Sequence, residues 1–166
     1  MRQLNLLGPG PVKLFVSYSH INAAWFQKLR PLLKFRNPSA NIAHVWHDQE
    51  LRAGDRWHDE IQTALERMDV FVCLVSYEFL DSDYIMDIEL KHALAQEQKG
   101  KVVIVPILLY DMNLKDDCPE LNAFNPLPAW NKCWRNYEKD GGHYQDAHQP
   151  IRKGLQDAIN KVKAKH

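Results

Sequence analysis

The run DVFVCLVS, residues 69–76, is the most apolar short segment of the chain. A short apolar run without polar alternation is typical of a strand that is buried on both faces of a sheet. Three similar runs occur, VKLFVS at 12–17, one at 42–47 and KVVIVPILL at 101–109. Pro106 lacks an amide hydrogen, so we expect it near the end of its strand or where that hydrogen would be unpaired. The sequence therefore predicts four strands.

Segments with helical spacing of apolar residues alternate with these runs. They cover residues 23–35, 57–68 and 82–98, and a last one starts at about residue 144. Pro31 is expected to kink or split the first of them. Neighbouring parallel strands need a crossover, and a helix usually supplies it. We therefore predict an α/β fold, a flavodoxin-like parallel sheet of four to five strands with helices on both faces.

The composition fits one globular domain of 166 residues that are 45% apolar and 25% charged. The net charge is +0, which argues against a strongly basic protein, so no direct nucleic-acid partner is predicted. No apolar run approaches the ~20 residues that cross a bilayer, so no membrane partner is predicted. We expect residues 1–11 to form a flexible leader without a secretory signal and residues 12–163 to form a single domain, which predicts a cytoplasmic protein.

The cysteines and histidines do not have the spacing of a metal site. Cys73, Cys118 and Cys133 are too widely spaced for a zinc knuckle or a disulfide framework. Cys73 is expected to be a small core residue. His44 and His47 would point to opposite faces of an extended strand. We therefore predict no metal site.

The late segment 110–143 holds several prolines and a Gly-Gly pair. Such composition is typical of irregular structure, because proline and glycine interrupt regular elements. We expect a long irregular segment in which KCWR, residues 132–135, forms a short edge strand.

Three polar segments follow the first three predicted strands. They are SYSH at 17–20, HDQELRAGDRW at 47–57 and SYEFLDSDYIMDIE at 76–89. In parallel α/β sheets, ligands bind in a crevice beyond the carboxyl ends of the strands. These three segments are therefore the candidate elements of a binding site.

Glu89 raises the main functional question. It follows Ile85 by four residues and Ile88 by one, which places it at the margin of the buried face of the predicted helix. Partial burial there would strengthen its interactions with a charged ligand. Spacing alone leaves open the alternative of an ordinary solvated glutamate.

Other side chains of these segments could contact a nucleotide. Trp57 could stack on a base or anchor its helix, and Ser76 could line the crevice or form the turn into the next helix. Asn22 is expected to cap the helix that follows it. The residues after the first strand could bind ribose or phosphate, or could simply form a capped turn. These residues are Ser17, Tyr18, Ser19 and His20.

The segments, in this order and spacing, resemble those of a Toll/interleukin-receptor (TIR) domain. VKLFVSYSH resembles the first box of the family, an apolar strand that ends in Phe-x-Ser-Tyr/His. WHDQELRAGDRWHDEI resembles the second strand with its long loop. FVCLVSYEFLDSDYIMDIEL resembles the third strand and third helix, and VVIVPILL resembles the fourth strand. The resemblance runs from about Val12 to Ile159, and the loops are similar in style to those of bacterial members.

The resemblance implies a TIR fold and one of two functions. Many bacterial and plant members cleave NAD+ between nicotinamide and ribose, and some close the product into cyclic ADP-ribose isomers, often in antiphage defence. The chain would then be an NAD+ glycohydrolase or cyclase with NAD+ as its substrate and no cofactor. Animal receptor and adaptor members act mainly as interaction modules. A non-enzymatic scaffold that self-associates is therefore the alternative.

The resemblance also assigns roles around the third helix. The enzymatic members need one glutamate there, and Glu89 in IELKHAL takes its position. Many of them have a tryptophan four residues earlier, where this chain has Ile85, and Tyr84 beside it is expected to supply the aromatic surface. When nicotinamide departs, positive charge develops on the ribose C1′, and one carboxylate could stabilise this transition state.

The loop after the second strand is expected to have a separate role. Arg52, Gly54 and Asp55 suit an assembly contact or a mobile lid, and Asp48 suits substrate binding, although a plain exposed loop fits as well. In this family a neighbouring subunit often completes the pocket. We therefore expect other TIR subunits as partners, in a homo-oligomer or filament. A sensor domain or a partner protein is expected to supply the activating signal.

Overall fold

The computed structural model describes residues 11–35, 42–47 and 56–165. Residues 1–10, which make up most of the predicted leader, lie outside this part of the chain. The described strands form one parallel sheet in the order β2-β1-β3-β4. This arrangement confirms the predicted α/β fold. The strands are β1 (Val12–Ser17), β2 (Ile42–His47), β3 (Val70–Val75) and β4 (Val103–Leu108).

Helices and helical turns connect the strands and follow the sheet. The α-helices are α1 (Ala23–Leu29), α2 (Trp57–Arg67), α3 (Tyr77–Asp81), α4 (Lys91–Gln98), α5 (Leu114–Asp117) and α6 (His148–Ala164). The 3-10 turns are His20–Asn22, Arg30–Leu33, Pro119–Leu121, Trp134–Gly141 and Tyr144–Ala147, and a π-helical turn spans Ile85–Leu90. No helix in the described part of the chain is both long enough and apolar enough to span a bilayer.

Alternate residues of each strand enter two separate cores. Leu14 and Val16 of β1 pack in one core with buried residues of α1 and α6. Phe15 packs in the other core with buried residues of α2, the π turn and α4, and its ring stacks on Phe71 with centroids 5.9 Å apart. Successive strand side chains point to opposite faces. Helices therefore cover both faces of the sheet, as predicted.

Two prolines act as the sequence indicates. α1 ends at Leu29, and Pro31 lies in a 3-10 turn that continues the chain. Pro106 lies within β4, which is an edge strand of the described sheet. On the outer side of β4, the Leu108 N–H donates to the Leu127 carbonyl and the Leu127 N–H donates to the Pro106 carbonyl. The side of Pro106 that lacks a hydrogen therefore faces outward, where β3 needs no donor.

The predicted helix 82–98 contains a π turn. A short helix, α3, precedes it, and Ser82 has extended backbone angles of φ −84° and ψ 108°. The chain then winds through the π turn Ile85–Leu90 before α4 begins. The predicted helix is therefore present from residue 83 to residue 98, and the π turn within it was not expected because apolar spacing does not distinguish an α turn from a π turn.

The predicted edge strand at 132–135 is also wrong. An isolated bridge joins Ala129 to Lys132, and a 3-10 turn begins at Trp134. Trp134 is fully buried against the core that contains α1 and α6. The apolar residues of this segment therefore pack against other elements of the fold and do not pair as a strand.

The three cysteines are buried free thiols, so we expect them to react slowly in the native protein. Burial raises the pKa of Cys118 to about 11, and it also raises the pKa of Cys73 and of Cys133. Only the thiolate reacts with alkylating reagents. Mass spectrometry after iodoacetamide treatment at pH 8 should show almost no labelling, and all three cysteines should be labelled in denaturant. Rapid labelling of the native protein would contradict the packing described here.

Candidate functional site

The buried polar side chains gather at one edge of the sheet. Burying a polar group away from water costs free energy unless the group gains a hydrogen-bond partner. A cluster of buried polar groups therefore calls for a structural or functional explanation. Four of these residues lie at or just after the carboxyl ends of β1 and β3, and the fifth is on the π turn. Among the described residues, the buried polar or charged side chains are Ser17, Ser19, Asn22, Ser76 and Glu89.

Glu89 has no exposed surface. The hydroxyl of Ser17, the last residue of β1, donates to Glu89 Oε1 at 2.6 Å. Ser17 shares its sheet face with Phe15 because the two residues are two apart in the strand. The same face carries the π turn and α4. This bond therefore places the carboxylate directly at the carboxyl edge of the sheet, and the alternative of a solvated glutamate is wrong for this structure.

The π turn contributes to the burial of Glu89. Ile85, Glu89 and Leu90 are its buried residues. A π turn bonds residues five apart and appears mostly as a single turn inside an α-helix, frequently at functional sites. The Ile85 N–H donates to Ser82 Oγ at 3.3 Å, which fixes the start of the turn. Ile85 is 2% exposed, so the position for which the sequence resemblance implies an aromatic surface is a core position here.

Asn22 is a site residue that the sequence reasoning missed. It was expected to cap α1, but its side chain makes no capping bond. Asn22 Oδ1 instead accepts from the Ser76 hydroxyl at 2.6 Å. Ser76 Oγ in turn accepts from the Phe79 N–H at 3.0 Å and so caps α3. The pair ties the loop after β1 to the loop after β3 within the buried edge.

The other residues after β1 separate into different surroundings. Tyr18 is buried in the opposite core, stacked on Phe26 with ring centroids 4.7 Å apart, and its hydroxyl lies 3.2 Å from His47 Nδ1. Ser19 Oγ accepts from the Ile21 N–H at 3.4 Å and caps the 3-10 turn. His20 is exposed. The structure thus brings Ser17, but not Tyr18, to the side of Glu89.

Two aromatic rings, those of Trp57 and Tyr84, meet near the start of the helical segment that carries Glu89. The Trp57 and Tyr84 rings contact each other with centroids 5.0 Å apart. The Tyr84 hydroxyl lies 2.9 Å from His58 Nδ1. Trp57 and Tyr84 are half-buried and pack against the core that contains Ile85. The structure therefore brings two of the predicted substrate contacts together and adds His58, which was considered from the sequence only as a metal ligand.

The predicted loop residues Asp48, Arg52, Gly54 and Asp55 lie outside the described residues. Their predicted roles stay predictions. His47, the last residue of β2, is the nearest described residue before this loop, and its ring lies against Phe26 and Tyr18.

Comparison with known proteins assigns the family. The model of the family described as "TIR domain" matches residues 14–143, which is most of the chain. The chain belongs to the TIR domain family. The matched region of this TIR domain starts within β1 and extends past the buried polar edge described above.

A relative of this TIR domain occurs in Sinorhizobium fredii (strain NBRC 101917 / NGR234), where it is called "Uncharacterized protein y4lF". The two are 31% identical over 96 residues, which is 58% of this chain and 29% of the relative. This TIR domain thus corresponds to less than a third of that relative. The TIR family includes NAD+-cleaving enzymes as well as self-associating scaffolds, so family membership by itself does not decide between these functions.

We expect Ser17→Ala to lower the free energy of unfolding by about 1–3 kcal/mol. The substitution removes one donor from a buried carboxylate, and the loss of a hydrogen bond to a buried charged group costs about that much. Thr63→Ala removes an exposed hydroxyl and should change stability by less than about 0.5 kcal/mol. Urea denaturation of both variants measures the difference. Equal stability of the two would show that the Ser17–Glu89 bond contributes little.

Proposed function

We propose that this TIR domain cleaves NAD+ between nicotinamide and ribose, with Glu89 as the carboxylate that faces the ribose. The observation that carries the proposal is the burial of Glu89 at the carboxyl edge of the sheet, bonded to Ser17. Ligand crevices of parallel α/β sheets lie at this edge. An acidic side chain is rarely fully buried unless it is paired or has a function. The proposal includes a role as a bacterial defence or signalling effector.

The chemistry needs only one carboxylate. Nicotinamide leaves a cationic precursor as a neutral molecule, so it needs no proton from an acid. Positive charge develops at the ribose C1′ as its bond to nicotinamide breaks, as in glycoside cleavage. A water oxygen, which gives up a proton to solvent, then bonds to C1′; in a cyclic product an atom of the same nucleotide bonds there instead. A carboxylate in a site of low polarity stabilises that charge more strongly than one in water. Ser17 would hold one oxygen of Glu89 and so orient the carboxylate.

Access to Glu89 requires a change at the site. The carboxylate has no exposed surface in the single chain. NAD+ would reach it only after the segments around it open. We propose that assembly with other TIR subunits, in a homo-oligomer or filament, opens and completes the site. The aromatic pair Trp57–Tyr84 would then be available for a ring of the nucleotide.

The second candidate function is a non-enzymatic scaffold. The burial of Glu89 also favours it, because the Ser17–Glu89 bond joins the π turn to β1 and could serve stability alone. Both functions use the same fold, so the fold does not decide between them. The enzyme would turn over NAD+, whereas the scaffold would not.

The deciding experiment incubates the wild-type protein with NAD+ over a wide range of protein concentration and follows nicotinamide by chromatography. We expect more nicotinamide than protein on a molar basis, with a specific rate that rises with concentration if assembly opens the site. Mass spectrometry of the nucleotide then distinguishes a linear from a cyclic product. An absence of nicotinamide at every concentration would support the scaffold instead.

A further inference from the structure

A cleft lies at the carboxyl end of β4 and presents exposed aromatic rings. Its volume is about 540 Å³, and Leu108, Tyr77 and Trp130 are among the residues that line it. Tyr77 is 57% exposed and Trp130 is 53% exposed. These are two of the three large hydrophobic side chains that are exposed in the described part of the chain, the third being Ile21. Aromatic residues that share an exposed cleft mark an interaction surface more often than scattered ones do.

Both aromatic side chains are held in place. The Trp130 Nε1–H donates to Asn125 Oδ1 at 3.0 Å, and the residue lies in the tight turn closed by the Ala129–Lys132 bridge. The Tyr77 hydroxyl donates to Asp117 Oδ2 at 3.2 Å. Their polar atoms are thus already satisfied, while much of each side chain stays in water. A partner that covers a fixed ring loses little conformational entropy at that ring.

Carboxylates surround the two rings. Among the described residues that line the cleft, Asp111, Asp116 and Asp117 carry carboxylates and Lys132 carries the one ammonium group. Lys132 Nζ lies over the Tyr137 ring at 4.1 Å from its centroid. The cleft therefore combines aromatic rings with an excess of negative charge.

The partners of these carboxylates are mostly neutral. Asn113 donates its N–H to Asp117 and its Nδ2–H to Asp116, at 3.0 and 2.9 Å. Neither aspartate has a salt bridge to another described residue. The charge of Asp117, to which the Tyr77 hydroxyl donates, raises the pKa of Tyr77. Asp111 accepts from Asn136 and Cys133 and lies 3.7 Å from Lys139 Nζ, so its charge is partly balanced.

We propose that this cleft docks a segment of another protein that carries arginine or lysine beside apolar residues. Aromatic rings attract a cation through their negative faces, and carboxylates add a direct charge interaction. A tryptophan that is held in place in the lining of a cleft also has the character of a binding hot spot. The observations fit a basic partner and oppose an acidic one, because an acidic segment would bring like charges together.

This surface is separate from the Glu89 site. Tyr77 directly follows Ser76, but Tyr77 is exposed whereas Ser76 and Glu89 are buried. The proposal does not depend on NAD+ cleavage. A partner docked here would be held at the same sheet edge, next to the segments that must open for substrate.

Fluorescence anisotropy tests the proposal with two labelled hexapeptides, one that alternates arginine with leucine and one that alternates glutamate with leucine. We expect the basic peptide to bind the wild-type protein with a Kd below about 1 mM and the acidic peptide not to bind. Trp130→Ala should raise the Kd at least about 10-fold. The double variant Asp116→Asn, Asp117→Asn should weaken binding and reduce its dependence on salt.

Asp87→Asn is the matched control, because Asp87 is exposed and is not among the residues that line the cleft. It should leave the Kd unchanged within about twofold. The proposal is overturned if the basic peptide does not bind below about 1 mM, if both peptides bind equally, or if Trp130→Ala binds as the wild type does. Circular dichroism of each variant confirms that the fold is retained.

Discussion

Replacing Glu89 by glutamine is expected to slow nicotinamide release at least about 100-fold. Glutamine has nearly the same shape and can still accept the Ser17 hydrogen bond at its amide oxygen. The substitution therefore removes the charge and leaves most of the packing intact. The loss should appear in kcat more than in KM, because the carboxylate acts on charge that develops in the transition state. Initial rates over a range of NAD+ concentrations measure both constants.

Asp87→Asn provides the control for this substitution. Asp87 lies on the same π turn but is exposed, so its loss of charge should change the rate less than about twofold. Urea denaturation of both variants separates a loss of chemistry from a loss of fold. If Glu89→Gln retains the wild-type rate while remaining folded, Glu89 is a structural residue and the proposed mechanism is wrong.

Trp134→Ala is expected to lower the free energy of unfolding by about 3–5 kcal/mol, the range for a large aromatic side chain removed from a core. Trp134 is fully buried, and its ring centroid lies 5.1 Å from that of Trp25. Its Nε1–H donates to the Tyr144 carbonyl at 3.0 Å. The residue thus joins the irregular segment 110–143 to α1 and to the turn before α6. Urea denaturation monitored by circular dichroism measures the loss.

Trp130→Ala is the matched control, a tryptophan of the same segment that is half exposed. It should change stability by no more than about 0.5 kcal/mol, as surface substitutions usually do. Similar losses from the two variants would mean that Trp134 does not hold the irregular segment to the core.

The sheet could be predicted from the sequence because its signal is local. DVFVCLVS is apolar at successive positions, and such a run has few alternatives to a strand buried on both faces. The π turn at Ile85–Leu90 gave no comparable signal. Its residues have an amphipathic pattern that an α-helix would satisfy equally well. The burial of Trp134 was missed for a similar reason, since its contacts to Trp25 and Tyr144 depend on the packing of distant elements.

The candidate site was only partly predictable. The spacing of apolar residues placed Glu89 on a helical segment. The order of strands along the chain placed that segment at the carboxyl edge of the sheet. Its full burial did not, because the partner, Ser17, is 72 residues away in the chain. Asn22 was expected to cap a helix, since asparagine before a helix usually does so. Its bond to Ser76 appears only when β1 and β3 lie side by side.

The most direct test is a crystal structure of the Glu89→Gln variant with NAD+ bound. We expect the ribose C1′ that carries nicotinamide to lie within about 4 Å of the side chain at position 89, and that side chain to be open to the nucleotide and no longer enclosed. NAD+ bound elsewhere, with position 89 still enclosed beside Ser17, would contradict it.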